Sequence, residues 1–345
     1  MLLKNNSLLK ELCLVNGISG DENTVRDVIL AEIKNYANDI KIDPLGNIIV
    51  FKEGKEEPKK KLLISAHMDE VGFIVTEITS DGLIKFDEVG GIDRRVVLGD
   101  RVVIGKNNLN GVIMVKPIHL SKGDEQSAIP SYSDMYIDIG ANSKEEAEKY
   151  INYGDSISFV SFYQNNGETI MSKAIDDRAG CCMMIEMIKS DLPYDMYFSF
   201  VVQEEVGLRG ATTASFTVNP DFAIVLESTT ACDIPCVEDT KQVCKVGCGA
   251  VVSFMDRRTI YDKSLVKLAF EIANKNNLKA QYKKAVAGGN DAGAIQKACN
   301  GVRTLALSIP CRYLHSPIGL ISVKDYEDTY NLALELANNI CGGKL

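Results

Sequence analysis

The chain has 345 residues, 46 % hydrophobic and 25 % charged, with a formal charge of −9. That length exceeds one minimal core and favours a large domain with a smaller companion. The acidic balance excludes the basic footprint of a nucleic-acid binder. No apolar run is long enough to span a bilayer, so neither nucleic acid nor membrane is expected as a partner.

The opening, MLLKNNSLLKELC, lacks the apolar length and cleavage site of a secretory leader. A cytoplasmic location is therefore expected, with the ten cysteines as reduced thiols. None shows paired CxxC spacing. Ser19 and Glu22 stand at capping-box spacing, ahead of a helical stripe of Val25, Ile29, Ile33 and Tyr36. DPLGNIIVFKEG reads as a turn and a strand. KLLISA reads as a buried strand that ends on His67.

Near residue 72 the texture changes. As far as about 165, short alternating segments such as GFIVTEI, RRVVLGDRVVIG and MYIDIG are punctuated by turn residues, and only SKEEAEKYI (143–151) reads as helical. That spacing predicts a small barrel or sandwich. Helices in RAGCCMMIEMIKS, YDKSLVKLAFEIANKN, DAGAIQKA and VKDYEDTYNLALELANNI then alternate with the strands YFSFVV, FAIVLE and TLALSIP. Alternation predicts an α/β fold with a mainly parallel, helix-flanked sheet. The expected division is an α/β catalytic domain from 1–71 and 166–345, with an all-β domain inserted over 72–165.

Chemistry collects at the strand ends. His67 closes LLISAH, Glu204 and Glu205 follow YFSFVVQ, Glu227 closes FAIVLE, and His315 follows TLALSIPCRYL. In open α/β sheets the carboxyl ends of strands line the ligand crevice. Imidazoles and carboxylates converging there suit a metal. Asp69, two residues after His67, can accept a hydrogen bond from the imidazole and fix its tautomer. Asp176 is a candidate to bridge two metals, whereas the adjacent Asp177 also suits a helix cap. The Glu204–Glu205 pair permits a division of labour, one binding metal and the other moving protons. Each motif alone also reads as a cap, a solvated turn or a half-buried histidine. Together, His67, Asp176, Glu205, Glu227 and His315 suffice for two metals sharing a carboxylate. AGGNDAGA (287–294) reads equally as an anion-holding loop or a plain turn, and His119 as structural.

AHMDEVG, KAIDDRAG, QEEVG, AIVLES and RYLHSP resemble the five ligand-bearing segments of the di-metal aminopeptidases that assemble into tetrahedral particles. That family includes glutamyl, leucyl and lysyl aminopeptidases and members named endoglucanase. The resemblance runs through nearly the whole chain, insert included. It implies a zinc-peptidase-like fold with two divalent metal ions per chain, zinc or cobalt, with manganese an alternative. His67, Asp176 and Glu227 would hold one ion; Asp176, Glu205 and His315 would hold the other. Glu204 would be the general acid/base and Asp69 would orient His67. The implied activity is metal-dependent removal of the N-terminal residue of short peptides through a metal-bridged water. The implied assembly is a homo-oligomer, commonly a dodecamer, built through the insert. The family often has Asp where Glu227 stands. Other readings are a related metallo-deacylase or carboxypeptidase, a glucanase and a non-enzymatic scaffold. A glycosidase needs two carboxylates and no metal, and this chain has no Trp to form a sugar platform.

Overall fold

The computed structural model describes residues 7–123 and 127–345. Residues 1–6, part of the segment read for a leader, lie outside it. In chain order the elements begin with α1 (Ser7–Leu14), α2 (Asn23–Ile33), β1 (Asp39–Ile42), β2 (Ile48–Lys52) and β3 (Leu62–His67). There follow β4 (Gly72–Ile78), β5 (Ile84–Val89), β6 (Arg101–Ile104), β7 (Leu109–Val115), β8 (Met135–Asp138), α3 (Lys144–Ala147) and β9 (Ser156–Phe159). Next come β10 (Tyr163–Asn165), β11 (Thr169–Ser172), α4 (Ile175–Lys189), β12 (Met196–Val201), α5 (Arg209–Val218) and β13 (Phe222–Thr230). The chain ends with β14 (Ala250–Val252), α6 (Lys263–Lys275), β15 (Ala280–Tyr282), α7 (Ala292–Ile295), β16 (Arg303–Cys311), β17 (Gly319–Ser322) and α8 (Val323–Cys341).

The main sheet has the order β1-β2-β12-β3-β13-β16-β14-β15. Its centre, β12-β3-β13-β16, is parallel. Antiparallel pairings at β1-β2, β2-β12 and β14-β16 make the whole sheet mixed. Helices on the sheet explain the composition of its centre. All six residues of β3 are buried, as are eight of nine in β13 and in β16, because parallel strands covered on both faces have no polar side. The mutually touching helices α4 and α8 pack on these strands, as do α5 and α7, which also touch. Among the described residues no helix is long and apolar enough to cross a membrane.

The strands β4-β5-β8-β7-β6-β9 close into a barrel. It has its own core, in which Phe73 meets Phe86 and Phe159 edge-on at 5.1 and 5.4 Å. β4 pairs with β9 through Phe73 and Ile157, so the chain enters and leaves this barrel at adjacent points. The helical stretch read over 143–151 is regular only in α3. Ser143 caps it, and the chain turns soon afterwards at Gly154, whose φ is +82°, to enter β9.

Candidate metal centre

The sheet register puts two ligand candidates side by side. β13 pairs with β3 from Phe222–Leu62 as far as Val225–Ser65, and ladder pairing stops there. Two residues on, Glu227 Oε1 lies 3.2 Å from His67 Nε2. Asp176 enters from the head of α4. Asp176 and Asp177 both have non-helical φ/ψ, so the regular helix starts beyond them. Asp176 Oδ1 is 3.4 Å from His67 Nε2, and its Oδ2 is 3.3 Å from His315 Nε2. Glu205 Oε1 completes the second group, 3.2 Å from the same His315 nitrogen.

These separations suit shared cations. Two atoms bonded to one tetrahedral zinc at about 2.0–2.1 Å stand about 3.3 Å apart. Asp176 Oδ1 and both oxygens of Glu227 are buried without a hydrogen-bond donor, as is Asp177 Oδ2. Buried carboxylate oxygens without partners are costly unless a cation satisfies them. Two imidazoles cannot balance the surrounding acids, so the donor set fits divalent metal ions bound on either side of Asp176.

The charges perturb one another strongly. Burial pushes Asp176 up, but His315 and His67 together hold it below the usual carboxylate range. Burial pushes His315 down, while Asp176 and Glu205 raise it to about 11. His67 behaves alike, raised well above its ordinary value by Glu227, Asp176 and Asp69 against burial. Burial also raises Glu227 to about 8. Glu204 is held well above the usual range, first by burial and then by Glu227, Asp291 and Glu205, against His67. A carboxyl raised above its ordinary value holds a proton more readily than a free one.

Asp69 is the hub behind this cluster. His67 Nδ1 is 3.0 Å from the Asp69 backbone oxygen and 3.5 Å from its carboxylate. β3 ends at His67, and beyond it the main chain becomes the nearer partner. The Asp69 carboxylate instead accepts the Glu204 and Glu205 amides at 3.0 and 3.1 Å and the Ser19 hydroxyl at 2.5 Å. It thereby fixes the turn that aims both glutamates. Ser19 is therefore no cap of α2. The Glu22 carboxylate accepts from the Gly20 and Gln203 amides at 2.8 and 3.1 Å.

His315 is steadied from elsewhere. Its Nδ1 lies 2.9 Å from the carbonyl oxygen of Gly91, in the segment that follows β5 of the barrel. Below both ligand turns lies a buried ionic knot. Lys173 Nζ donates to the two Glu70 oxygens at 2.6 and 2.7 Å. Arg178 donates to the Met68, Leu12, Val15 and Gly17 carbonyls. His119 sits in an exposed 3-10 turn.

The crevice also contains residues with no singular sequence signal. Asp177 joins His67 and Glu227 in a second group of metal-competent atoms, while its other oxygen caps Gly180 at 3.0 Å. Asp291 is 1 % exposed with both carboxylate oxygens unpartnered, and burial raises it to about 7. It belongs to the AGGNDAGA loop, whose Gly288, Gly289 and Asn290 line the cavity beside His67. The clue was a Gly-rich turn, which by itself also reads as an ordinary cap.

The chain is similar to known proteins over nearly its whole length. The family profile described as M42 glutamyl aminopeptidase matches residues 46–332. The chain is 33 % identical over 330 residues to the glutamyl aminopeptidase of Lactococcus lactis subsp. cremoris, covering 92 % of this chain and 91 % of that protein. It is similar to the TET aminopeptidase of a marine sediment Thaumarchaeota archaeon, at 36 % identity and TM-score 0.93, covering 98 % and 96 % of the two chains. It is also similar to the TET1 peptidase of Pyrococcus horikoshii, described as assembling into a tetrahedron or a large octahedral shell. That match has 35 % identity, TM-score 0.85 and coverage of 99 % and 100 %.

Proposed function

We propose that this chain, which belongs to the M42 glutamyl aminopeptidase family, removes the N-terminal residue of short peptides with two divalent ions held by the roles assigned above. The observation that carries the reading is the Asp176 carboxylate, whose two oxygens face different imidazoles at 3.4 and 3.3 Å. His67 and Glu227 complete one ion's set, and Glu205 and His315 the other's. Zinc or cobalt fits the mixed nitrogen and oxygen donors. Bound there, the ions would lower the pKa of water and polarise the scissile carbonyl.

The protein's own groups do the remaining work. Glu204 takes a proton from the attacking water and delivers it to the leaving amine. Its raised pKa strengthens it as the acceptor of the water's proton. Asp69 holds the Glu204 and Glu205 amides, so the acid/base group keeps its place beside the ligand. A free amino terminus is a cation, and the surplus of carboxylates around Asp291 offers it a counter-charge. The insert over 72–165 forms subunit contacts in a homo-oligomer of up to twelve chains, and the enzyme works in the cytoplasm.

The test is metal analysis together with hydrolysis of aminoacyl p-nitroanilides and their N-acetylated counterparts. We expect up to two ions per chain, activity only on the free amines, and loss of activity on chelation with recovery on metal return. Full activity in a verified metal-free sample, or equal cleavage of the acetylated substrates, overturns the reading.

A further inference from the structure

Asp176 serves both halves of the centre, yet it lies in no strand and its φ/ψ are non-helical. It stands on an arch, residues 173–178, that is pinned at both feet to the turn following His67. At one foot, three residues before Asp176, Lys173 Nζ donates to both Glu70 oxygens at 2.6 and 2.7 Å. At the other, two residues after Asp176, Arg178 Nε donates to the Met68 carbonyl at 2.7 Å, and its Nη2 reaches Glu70 Oε1 at 3.3 Å. Glu70 is tied in turn to the segment before α2. Its Oε1 accepts the Gly17 amide at 3.0 Å, and its own amide donates to the Gly17 carbonyl at 3.0 Å. Lys173, Arg178 and Glu70 are 1 %, 0 % and 3 % exposed. None of the roles assigned above uses them.

The carboxylates gathered at the centre repel one another, so an arch that carries one of them is pushed outward. A ligand must be held within about 0.5 Å of its working position, and resisting that push needs a link that does not yield. A buried ion pair is such a link, because opening it leaves a charge without a partner in surroundings that solvate it poorly. The link is also well placed. Glu70 stands three residues from His67 and Lys173 three residues from Asp176, so the pair joins the two ligand turns directly. We propose that Glu70 and Lys173 are positioning residues, whose ion pair, with Arg178 beside it, fixes the Asp176 carboxylate relative to His67 and so preorganises both ion sites. The pair itself touches neither ion nor substrate. The inference rests on the two-ion reading above.

The experiment strips the full-length protein of metal, titrates it with zinc well below its unfolding temperature, and records thermal unfolding of the same preparations. Lys173→Met keeps most of the side-chain stem and removes the ammonium. It should weaken zinc binding by roughly 10- to 100-fold, the size seen when groups supporting a ligand are lost. Glu70→Asp keeps every charge and shortens the link by one methylene. Its loss should lie at the lower end of that range, about 10-fold, and its intact charge balance keeps the test open should Lys173→Met not fold. The control is Ile272→Ala, a buried position on α6, which supplies nothing to the centre. A pair that only stabilised the fold would lower the unfolding temperature and leave the zinc affinity of the folded protein unchanged. We expect the affinity loss in the Lys173 and Glu70 variants and none in Ile272→Ala. Wild-type affinity in both pair variants overturns the positioning role alone. So does an equal loss in Ile272→Ala, since affinity would then only follow stability. A wild type that binds no divalent ion overturns the two-ion reading as well.

Discussion

His67 stands at the end of an interior strand, its side chain 1 % exposed, with β12 paired to β3 up to Val201 beside it. His315 stands on a loop past β16, its side chain 32 % exposed, and takes its orientation from Gly91 of the barrel segment. The two imidazoles face the same Asp176 carboxylate. One half of the centre is thus carved from the sheet, and the other closes across a seam between the sheet and the barrel. A group fixed by packed neighbours has few alternative positions, whereas one held by a single contact from another region depends on how that region docks. The ion on the His315 side should therefore exchange first, and damage to the seam should be felt there before it reaches His67.

The largest effect should come from the residue both halves share. Asp176→Ala should lower metal content at both positions and take peptide hydrolysis to the limit of detection. If isothermal titration still shows two tight divalent sites in that variant, the halves are not joined through Asp176. Next come the neighbouring glutamates. Glu204→Gln should keep both metals while kcat falls by roughly 10²–10⁴, with little change in KM. Glu205→Ala should lose one ion, from the His315 side. Elemental analysis and kinetics on the same preparations check this pair, and retention of both metals by Glu205→Ala would reverse the assignment.

A smaller effect is expected from the seam itself. Gly90 has φ +86°, and a Cβ there would lie 2.7 Å from Val71 Cγ1 and 3.3 Å from Glu205 Cβ. Gly90→Ala should weaken the His315-side ion by about 10- to 100-fold, the size seen when groups supporting a ligand are disturbed. The His67-side ion should be nearly unaffected, so competition with a fluorescent chelator should resolve two unequal steps. Equal weakening of both would erase the contrast. The smallest effect is Ser19→Ala, which removes the hydroxyl bonded to Asp69. It should cost about 1 kcal/mol of stability, read by denaturant unfolding, and only a modest loss of kcat.

Strand-end chemistry was legible because the centre of the sheet consists of buried apolar runs, and a charged residue breaking such a run is conspicuous. His67 and Glu227 were visible in this way, and the alternating texture of the insert announced a closed β unit. Three kinds of feature were not legible. The Ser19 hydroxyl and the Gly91 carbonyl act through contacts that join residues 50 and 224 positions apart, a separation no local pattern encodes. Asp177 and Asp176 have the same chemistry at adjacent positions, and only the non-helical backbone at the head of α4 separates their directions. Lys173 lies among other charges in SKAIDDR, so its burial was hidden by its company.

The barrel's entry and exit bear on how the chain folds. β3 lies between β12 and β13, and the contact between Ser65 and Ser199 spans 134 residues. The pairing of Phe73 with Ile157 removes most of that span once the barrel has closed. The loop that must then be shut is effectively about 50 residues, which lowers the closure entropy by about 1 kcal/mol. A barrel that forms first should speed assembly of the sheet centre several-fold, since long-range strand pairing limits the rate in such topologies. Pulse-labelled hydrogen exchange during refolding should protect β4 and β9 amides before those of β3 and β12, and the reverse order would show that the sheet organises the insert.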